Sequence, residues 1–392
     1  MPHVRSGQAD IYWRADGDPS LPALLLSNSI GTDFSIWDNV LPRLMRHFRV
    51  IRMDTRGHGA SAAPEGDYTL QQLADDVDAV VNAAGVESFF FCGVSLGGMI
   101  GMQYAIQRPA KLRKLVLCNT SAVMDPAAWE TRRAKVLADG LESIVDMGMS
   151  RFFTPEYVAR NNVEFQRVRN NFLLNSAVGY AGCCAAIRDM QVQDQLGQIE
   201  VPTLVVNGAR DVSTPPAVGE AIAERIPGAQ TTLLSAAHIA SAEVPLAFCD
   251  ALVEFLLGNP VETENQRYDF GMARRKQVLG ADYVESRNAN ITPFNQRFQA
   301  FITRTAWGEV WTSSRFEDTT RRIAVLSMML ALGRWEEFEL HVGAALRAGV
   351  EPEAIEETLV QAAIYCGVPA SNTGFKLAGH LIDAHRAGLQ TS

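Results

Sequence analysis

Short, nearly unbroken apolar runs alternate with longer amphipathic stretches through the first two-thirds of the chain. Candidate strands lie at 23–26, 49–53, 88–92, 114–117, 203–206 and 231–234. Several, such as the one containing Phe89-Phe90-Phe91-Cys92, are continuously apolar, the pattern of strands covered on both faces. Helix-length segments such as 69–84 and 98–107 separate them. This alternation predicts a mostly parallel sheet in an α/β domain. The rhythm breaks between about 121 and 195, where the pattern is helix and loop without a strand. An insertion of that length in an α/β protein reads as a lid over a site.

Residues 259–267, with Asn259-Pro260 and the polar run Glu262-Thr263-Glu264-Asn265-Gln266, read as a linker. They divide the chain into an α/β domain, 1–258, and a domain of helices alone, 268–392. In the second part, Ile323, Leu326, Ser327 and Leu330 follow one helical stripe, and Phe338, His341, Val342 and Ala345 follow another that ends at Gly349. Pro352 opens a third helix, with Glu351, Glu353, Glu356 and Glu357 near its positive end, and Gly367 lies just past its close. Ser371 is placed to cap a fourth, carrying Phe375, Ala378 and Ile382.

Composition narrows the function. The 392 residues fit two domains at about 100–200 residues each. With 35 Lys and Arg against 44 Asp and Glu, the net charge of −9 argues against nucleic-acid binding, which needs surplus cations to displace counterions. An anionic substrate would need a local cluster of arginines. No apolar run is long enough for a membrane span, and the start, from Met1-Pro2-His3, lacks the apolar core of a secretory signal. Cys92, Cys118, Cys183, Cys184, Cys249 and Cys366 include no C-x-x-C and no metal-ligand spacing. They read as reduced core thiols, so the expected compartment is the cytoplasm, with no metal.

The clearest chemical motif is Gly93-Val94-Ser95-Leu96-Gly97, which follows an apolar strand and opens a helix. Glycines permit a sharp strand-to-helix turn that lifts the Ser95 hydroxyl above the sheet at the positive helix end. Serine needs a base and an orienting acid. His238 is the histidine placed late in this domain, in the small-residue segment Ser235-Ala236-Ala237-His238-Ile239-Ala240, which is expected to leave the ring unburied. Asp211 follows a candidate strand in Asn207-Gly208-Ala209-Arg210-Asp211 and is the expected acid, ahead of Asp189 and Asp194 in the lid segment. The oxyanion donors are expected to be the backbone N–H groups of Leu96 and of Ile30, in Asn28-Ser29-Ile30-Gly31. His58 reads as a loop-structuring residue rather than a catalyst.

Three segments carry a resemblance: Ser27-Asn28-Ser29-Ile30-Gly31-Thr32-Asp33, Asp54-Thr55-Arg56-Gly57-His58-Gly59-Ala60-Ser61 and Cys92-Gly93-Val94-Ser95-Leu96-Gly97-Gly98. They resemble the α/β-hydrolase family over roughly 8–258 and, within it, the 3-oxoadipate enol-lactonases. Asn28-Ser29 replaces the commoner His-Gly of the oxyanion loop, which favours that subfamily over generic esterases. The resemblance implies hydrolysis of a small enol-lactone bearing a carboxylate. Such a substrate needs a cation in an apolar cleft. Trp129 and Arg132, at the start of the lid, are similar to that subfamily's Trp and Arg and are expected to bind it.

The stretches Ala306-Trp307-Gly308-Glu309-Val310-Trp311, Thr320-Arg321-Arg322-Ile323, Glu339-Leu340-His341-Val342 and Tyr365-Cys366-Gly367-Val368-Pro369-Ala370 resemble the 4-carboxymuconolactone decarboxylase family over roughly 268–387. Thiol-dependent relatives in that fold carry C-x-x-C where this chain has Arg334-Trp335-Glu336-Glu337-Phe338, so dithiol chemistry is excluded. Loss of CO₂ from such a lactone sends electrons through the alkene onto the lactone carbonyl, so no cofactor is required. The protein must stabilise a dienolate and deliver a proton to carbon. His341 is the expected proton donor, Arg321 the expected carboxylate or oxygen ligand, and Trp307 and Trp311 the expected walls. Together the resemblances imply a bifunctional enzyme of the protocatechuate branch of the 3-oxoadipate pathway that assembles as a homo-oligomer through its helical domain. The alternative is a serine carboxylesterase or lactonase whose helical half is a non-catalytic oligomerisation module.

Overall fold

The computed structural model describes residues 3–258, 264–313 and 316–390. The chain forms two compact units, 1–260 and 261–392. The first is built on an eight-stranded sheet of order β1-β2-β4-β3-β5-β6-β7-β8. Its strands are β1 (His3–Ser6), β2 (Ala9–Asp16), β3 (Ala23–Ser27), β4 (Arg49–Met53), β5 (Phe89–Val94), β6 (Leu112–Cys118), β7 (Thr203–Gly208) and β8 (Gln230–Leu234). From β4 through β8 all neighbours are parallel, whereas β1 and β2 join the edge antiparallel. Every residue of β3, β5 and β7 is buried, as the continuous apolar runs require of strands sandwiched between helices.

The hairpin strands β1 and β2 are not among the six strands expected. β2 reads Ala-Asp-Ile-Tyr-Trp-Arg-Ala-Asp and its burial falls off along its length, so its polar residues mask the strand pattern. Helix Leu70–Ala83 starts at Thr69, which closes a capping box with Gln72. Helix Leu96–Gln107 begins directly behind Ser95, two residues earlier than the pattern suggested.

Between β6 and β7 the chain is helical. Helices Pro126–Asp139, Pro155–Arg160, Val163–Leu174 and Ala177–Arg188 are each opened by a side chain that accepts a first-turn N–H: Asp125, Thr154, Asn162 and Ser176. Helix Val145–Phe152 lies among them. Arg188 and Arg133 share Asp67 from before helix Leu70–Ala83, and Arg167 reaches Asp38, so charges tie this segment to the body.

The second unit is all helix: Glu264–Leu279, Ala281–Ala289, Gln296–Ile302, the π-helical turn Thr303–Val310, Asp318–Ala331, Trp335–Arg347, Pro352–Tyr365 and Val368–Gln390. Two sequence expectations need correction. Residues 264–267, assigned to the linker, form the first turn of a helix, because polarity alone does not break one; 259–263 lie outside the described residues. Ser371 does not cap a helix. It sits one turn inside Val368–Gln390, buried, and its hydroxyl donates to the Leu359 carbonyl at 2.6 Å. Among the described residues no helix is long and apolar enough to cross a membrane, and no group of three or more His, Cys, Asp or Glu is placed to hold a metal ion.

Candidate active site

The carboxyl ends of β3, β5, β7 and β8 converge, and each contributes to one cavity, as open α/β sheets arrange their sites. Ser95 follows β5 with φ 55° and ψ −115°, a left-handed conformation outside any regular element. The bend has no room for side chains: a Cβ on Gly93 would lie 2.2 Å from the Gly97 carbonyl oxygen, and one on Gly97 would lie 2.2 Å from that of Ser27. Hydrogen bonds hold the strained residue from both sides. Its N–H donates to the Cys118 carbonyl at 3.0 Å, and its own carbonyl accepts from the Thr120 hydroxyl at 2.7 Å.

Asp211 is turned inward by its own loop. Its carboxylate accepts the N–H groups of Ser213 and Thr214 at 2.7 and 3.0 Å and the Thr214 hydroxyl at 2.7 Å. It also meets His238 Nδ1 at 2.7 Å. Burial alone would raise its pKa; the His238 ring and the Thr214 donors outweigh that and hold it below the usual carboxylate value. His238 is only 2% exposed, against the expectation of an unburied ring. The small residues around it bring the backbone close, and Phe152 from the helical insertion stacks parallel to the imidazole at 5.8 Å. The described residues show no Ser95–His238 hydrogen bond, but both side chains line the same cavity of about 50 Å³.

The two expected oxyanion donors are available. Neither the Ile30 nor the Leu96 N–H donates to another group among the described residues, and Ile30 lines the cavity. The Ile30 loop is clamped at the next peptide. The Gly31 N–H donates to His58 Nε2 at 2.8 Å, and the Gly31 carbonyl accepts from the Asn175 side chain at 3.0 Å. Asn28, buried, donates to the Met53 carbonyl and accepts from the Trp37 indole, both at 2.8 Å, which explains an amide at that position. His58 is held in the neutral form: burial lowers its pKa to about 4, and Nδ1 lies 3.3 Å from the Arg56 carbonyl.

Trp129 and Arg132 both line the cavity, with the guanidinium 4.6 Å from the centre of the indole. Arg151 lines it too, and the sequence analysis missed it. Its only signal was helical spacing with Met147 and Gly148, which share the wall. Neither arginine forms an ion pair among the described residues, so two cations without acid partners face the chamber. Asp189 pairs with Arg188 outside it.

In the helical unit, His341 stacks on Trp311 at 6.0 Å, and Trp311 stacks on Trp307 at 5.1 Å. Both tryptophans belong to the π-helical turn or its end, a departure from α-geometry frequent at functional sites. The cation over this stack is Arg322, 5.8 Å from the Trp311 ring, fixed by Asp318 at 2.6 Å and the Ala344 carbonyl at 3.1 Å. Arg321, the arginine singled out from the sequence, instead donates to the Ser313 carbonyl at 2.8 Å and lies over Phe316. Consecutive helix positions point about 100° apart, so the paired arginines cannot share a face. Burial first, and then Arg322, lower the His341 pKa to about 4, against a smaller opposing effect of Glu337.

Comparison with known proteins decides the family. An α/β-hydrolase-fold family model matches residues 22–243, and a carboxymuconolactone decarboxylase family model matches 296–379. The chain is 36% identical over 237 residues to 3-oxoadipate enol-lactonase 2 of Acinetobacter baylyi, covering 60% of this chain and 89% of that protein. It is 38% identical over 115 residues to 4-carboxymuconolactone decarboxylase of the same organism, covering 29% of this chain and 86% of that one.

The chain belongs to the α/β-hydrolase family, with a carboxymuconolactone decarboxylase family domain fused behind it. The crystal structure of an enol-lactonase from Burkholderia xenovorans superimposes on this hydrolase with a TM-score of 0.64 at 36% identity, over 65% of this chain and 99% of that one. The fusion is thus an enzyme that joins a hydrolase to a decarboxylase-family unit.

Proposed function

We propose that this fused enzyme of the 3-oxoadipate pathway catalyses two successive steps. The helical domain decarboxylates 4-carboxymuconolactone to 3-oxoadipate enol-lactone, and the α/β domain, 1–258 with its lid at about 121–195, hydrolyses that lactone to 3-oxoadipate. The observation that carries the first domain's role is the Asp211–His238 pair at 2.7 Å, facing the same cavity as the Ser95 elbow and two arginines without acid partners.

In that reading Ser95 attacks the lactone carbonyl while His238, held in one tautomer by Asp211, takes its proton. The N–H groups of Leu96 and Ile30 receive the oxyanion. Collapse breaks the ring C–O bond, His238 protonates the enol product, and tautomerisation gives the ketone. Water activated by His238 then releases the acyl group. Arg132 and Arg151 hold the substrate carboxylate.

In the helical domain the breaking C–C bond leaves its electron pair in the conjugated lactone as a dienolate, and carbon then takes a proton. His341 alone is neutral near pH 7, hence a weak acid. An anionic substrate beside Arg322 offsets that cation's push, the smaller of the two effects that lower the ring's pKa, and so shifts the ring toward its protonated form.

The helical domain is also proposed to assemble the enzyme into a homo-oligomer. Phe294, Phe298, Phe301, Ile364 and Tyr365 are all more than half exposed, which fits faces covered by other copies. The setting proposed is the cytosol, where six free cysteines, five of them buried, stay reduced.

The test is to supply 4-carboxymuconolactone to the Ser95→Ala protein. Release of CO₂ with accumulation of enol-lactone supports two active domains. No turnover above the uncatalysed rate leaves the helical half a scaffold.

A further inference from the structure

Away from the His341–Trp311 stack, the helical unit holds a cleft of about 230 Å³ lined by Arg275, Arg287, Asn290, Ile291, Asn295 and Gln299. Helix Glu264–Leu279 contributes Arg275, helix Ala281–Ala289 contributes Arg287, and helix Gln296–Ile302 with the turn before it contributes the rest. The lining therefore has two guanidiniums, three carboxamides and no carboxylate.

Several other arginines of this unit are ion-paired, Arg267 to Glu309, Arg274 and Arg322 to Asp318, and Arg386 to Glu353, whereas Arg321, also buried, has its guanidinium on the Ser313 carbonyl. Arg275 and Arg287 form no ion pair among the described residues. Arg287 donates to the Tyr283 hydroxyl at 3.3 Å and lies over that ring, with the Glu336 charge acting on it from a distance. Arg275 is 8% exposed, and its Nε is buried without a hydrogen-bond partner. Its Nη1 makes one long contact, 3.4 Å, to Gln299 Oε1. A cation removed from water and left without a counter-charge is strongly unfavourable, and a second cation on the same cleft adds repulsion.

Two of the three amides are turned to suit an anion, while the Asn290 NH₂ donates to the Ser286 carbonyl at 2.9 Å. The carbonyl ends of Gln299 and Asn295 are engaged by Arg275 and by the Thr292 N–H, which leaves their NH₂ ends as donors. Adjacent Arg274 points the other way, to the Trp311 carbonyl and Asp318, so the cleft is separate from the His341 stack.

We propose that this cleft is a binding site for a small dicarboxylate, with one carboxylate on Arg275 and the other on Arg287. Planar guanidinium forks match carboxylates with paired hydrogen bonds, and the amide donors complete the cradle. The proposal does not depend on the reaction assigned to either domain.

Adipate serves as the probe, titrated calorimetrically into the full-length chain. Because a dicarboxylate can also reach Arg132 and Arg151 in the hydrolase cavity and Arg322 beside His341, the titration is made in the Arg132→Ala protein, and binding at the cleft is the part that Arg287→Gln removes. Arg287→Gln, a change at an exposed side chain, should weaken binding about tenfold or more, the loss of one charge-assisted pair, without shifting the melting temperature. Arg275→Lys should weaken it as well, and acetate should bind far more weakly than adipate. Absence of binding in the Arg132→Ala protein, or binding unchanged by Arg287→Gln, overturns the proposal. Dissociation of an oligomer by Arg287→Gln with no adipate binding would assign the cleft to an acidic side chain of a second copy, and also overturns it.

Discussion

The two units build their sites by different means. In the α/β unit the candidate site is set by backbone: a serine at positive φ, two N–H groups without a partner among the described residues, and glycines whose replacement would drive a Cβ into a neighbouring carbonyl. In the helical unit it is set by side chains on helix faces, where His341, Trp311, Trp307 and Arg322 meet by stacking. A backbone site is rigid and tolerates little substitution around it. A site made of faces can be retuned by changing side chains on them.

The largest expected effect tests whether the two sites work independently. Ser95→Ala should lower enol-lactone hydrolysis by about 10⁴-fold while CO₂ release from 4-carboxymuconolactone stays within error. A parallel loss of decarboxylation would mean the units do not act separately. The mirror experiment is His341→Ala, which should lower decarboxylation by about 10²-fold or more and leave lactone hydrolysis intact. Unchanged CO₂ release would move the proton donor elsewhere.

A third prediction concerns the stability of the backbone-built site. His58 binds its proton near pH 6.5 when unfolded but only near pH 4 when folded. Between those values His58 takes a proton only when unfolded, so its contribution to stability falls as pH drops through that window, by on the order of 3 kcal/mol, while Asp54, whose buried carboxyl is pushed up to about 7, acts the other way. Urea unfolding of the hydrolase unit, followed by tryptophan fluorescence at several pH values, reads this slope. His58→Gln, which cannot titrate, should grow more stable relative to the unsubstituted chain as pH falls through the window.

The smallest effect sharpens the account of the cavity. Arg132→Ala should reduce kcat/KM for the anionic lactone about 10- to 100-fold, the worth of one charged hydrogen bond, and change a neutral aryl ester little. Equal losses on both substrates would remove the carboxylate clamp.

The same contrast explains what could be read from the chain. Ser95, the Ile30 loop and the parallel strands are local patterns, because strand burial and tight turns restrict residue type at fixed spacing. Asp211 and His238 followed from chain order relative to strands. The burial of His238 did not, since Phe152 reaches it from a segment more than 80 residues away. Arg151 and Arg322 escaped for a related reason: an arginine on a helix carries no mark of the direction it faces. The hairpin strands β1 and β2 were missed because a mixed edge strand has neither a continuous apolar run nor a clean alternation.

Methionines also shape the hydrolase cavity. Met99, Met124 and Met147 all line this chamber. Unbranched thioethers have three rotatable bonds and little torsional resistance. In the proposed hydrolysis these three side chains can yield to the lactone while the helices that carry Met99 and Met147 stay rigid. Converting the sulfurs to sulfoxides would make that wall polar and stiff, so peroxide exposure should slow lactone entry before it touches the nucleophile.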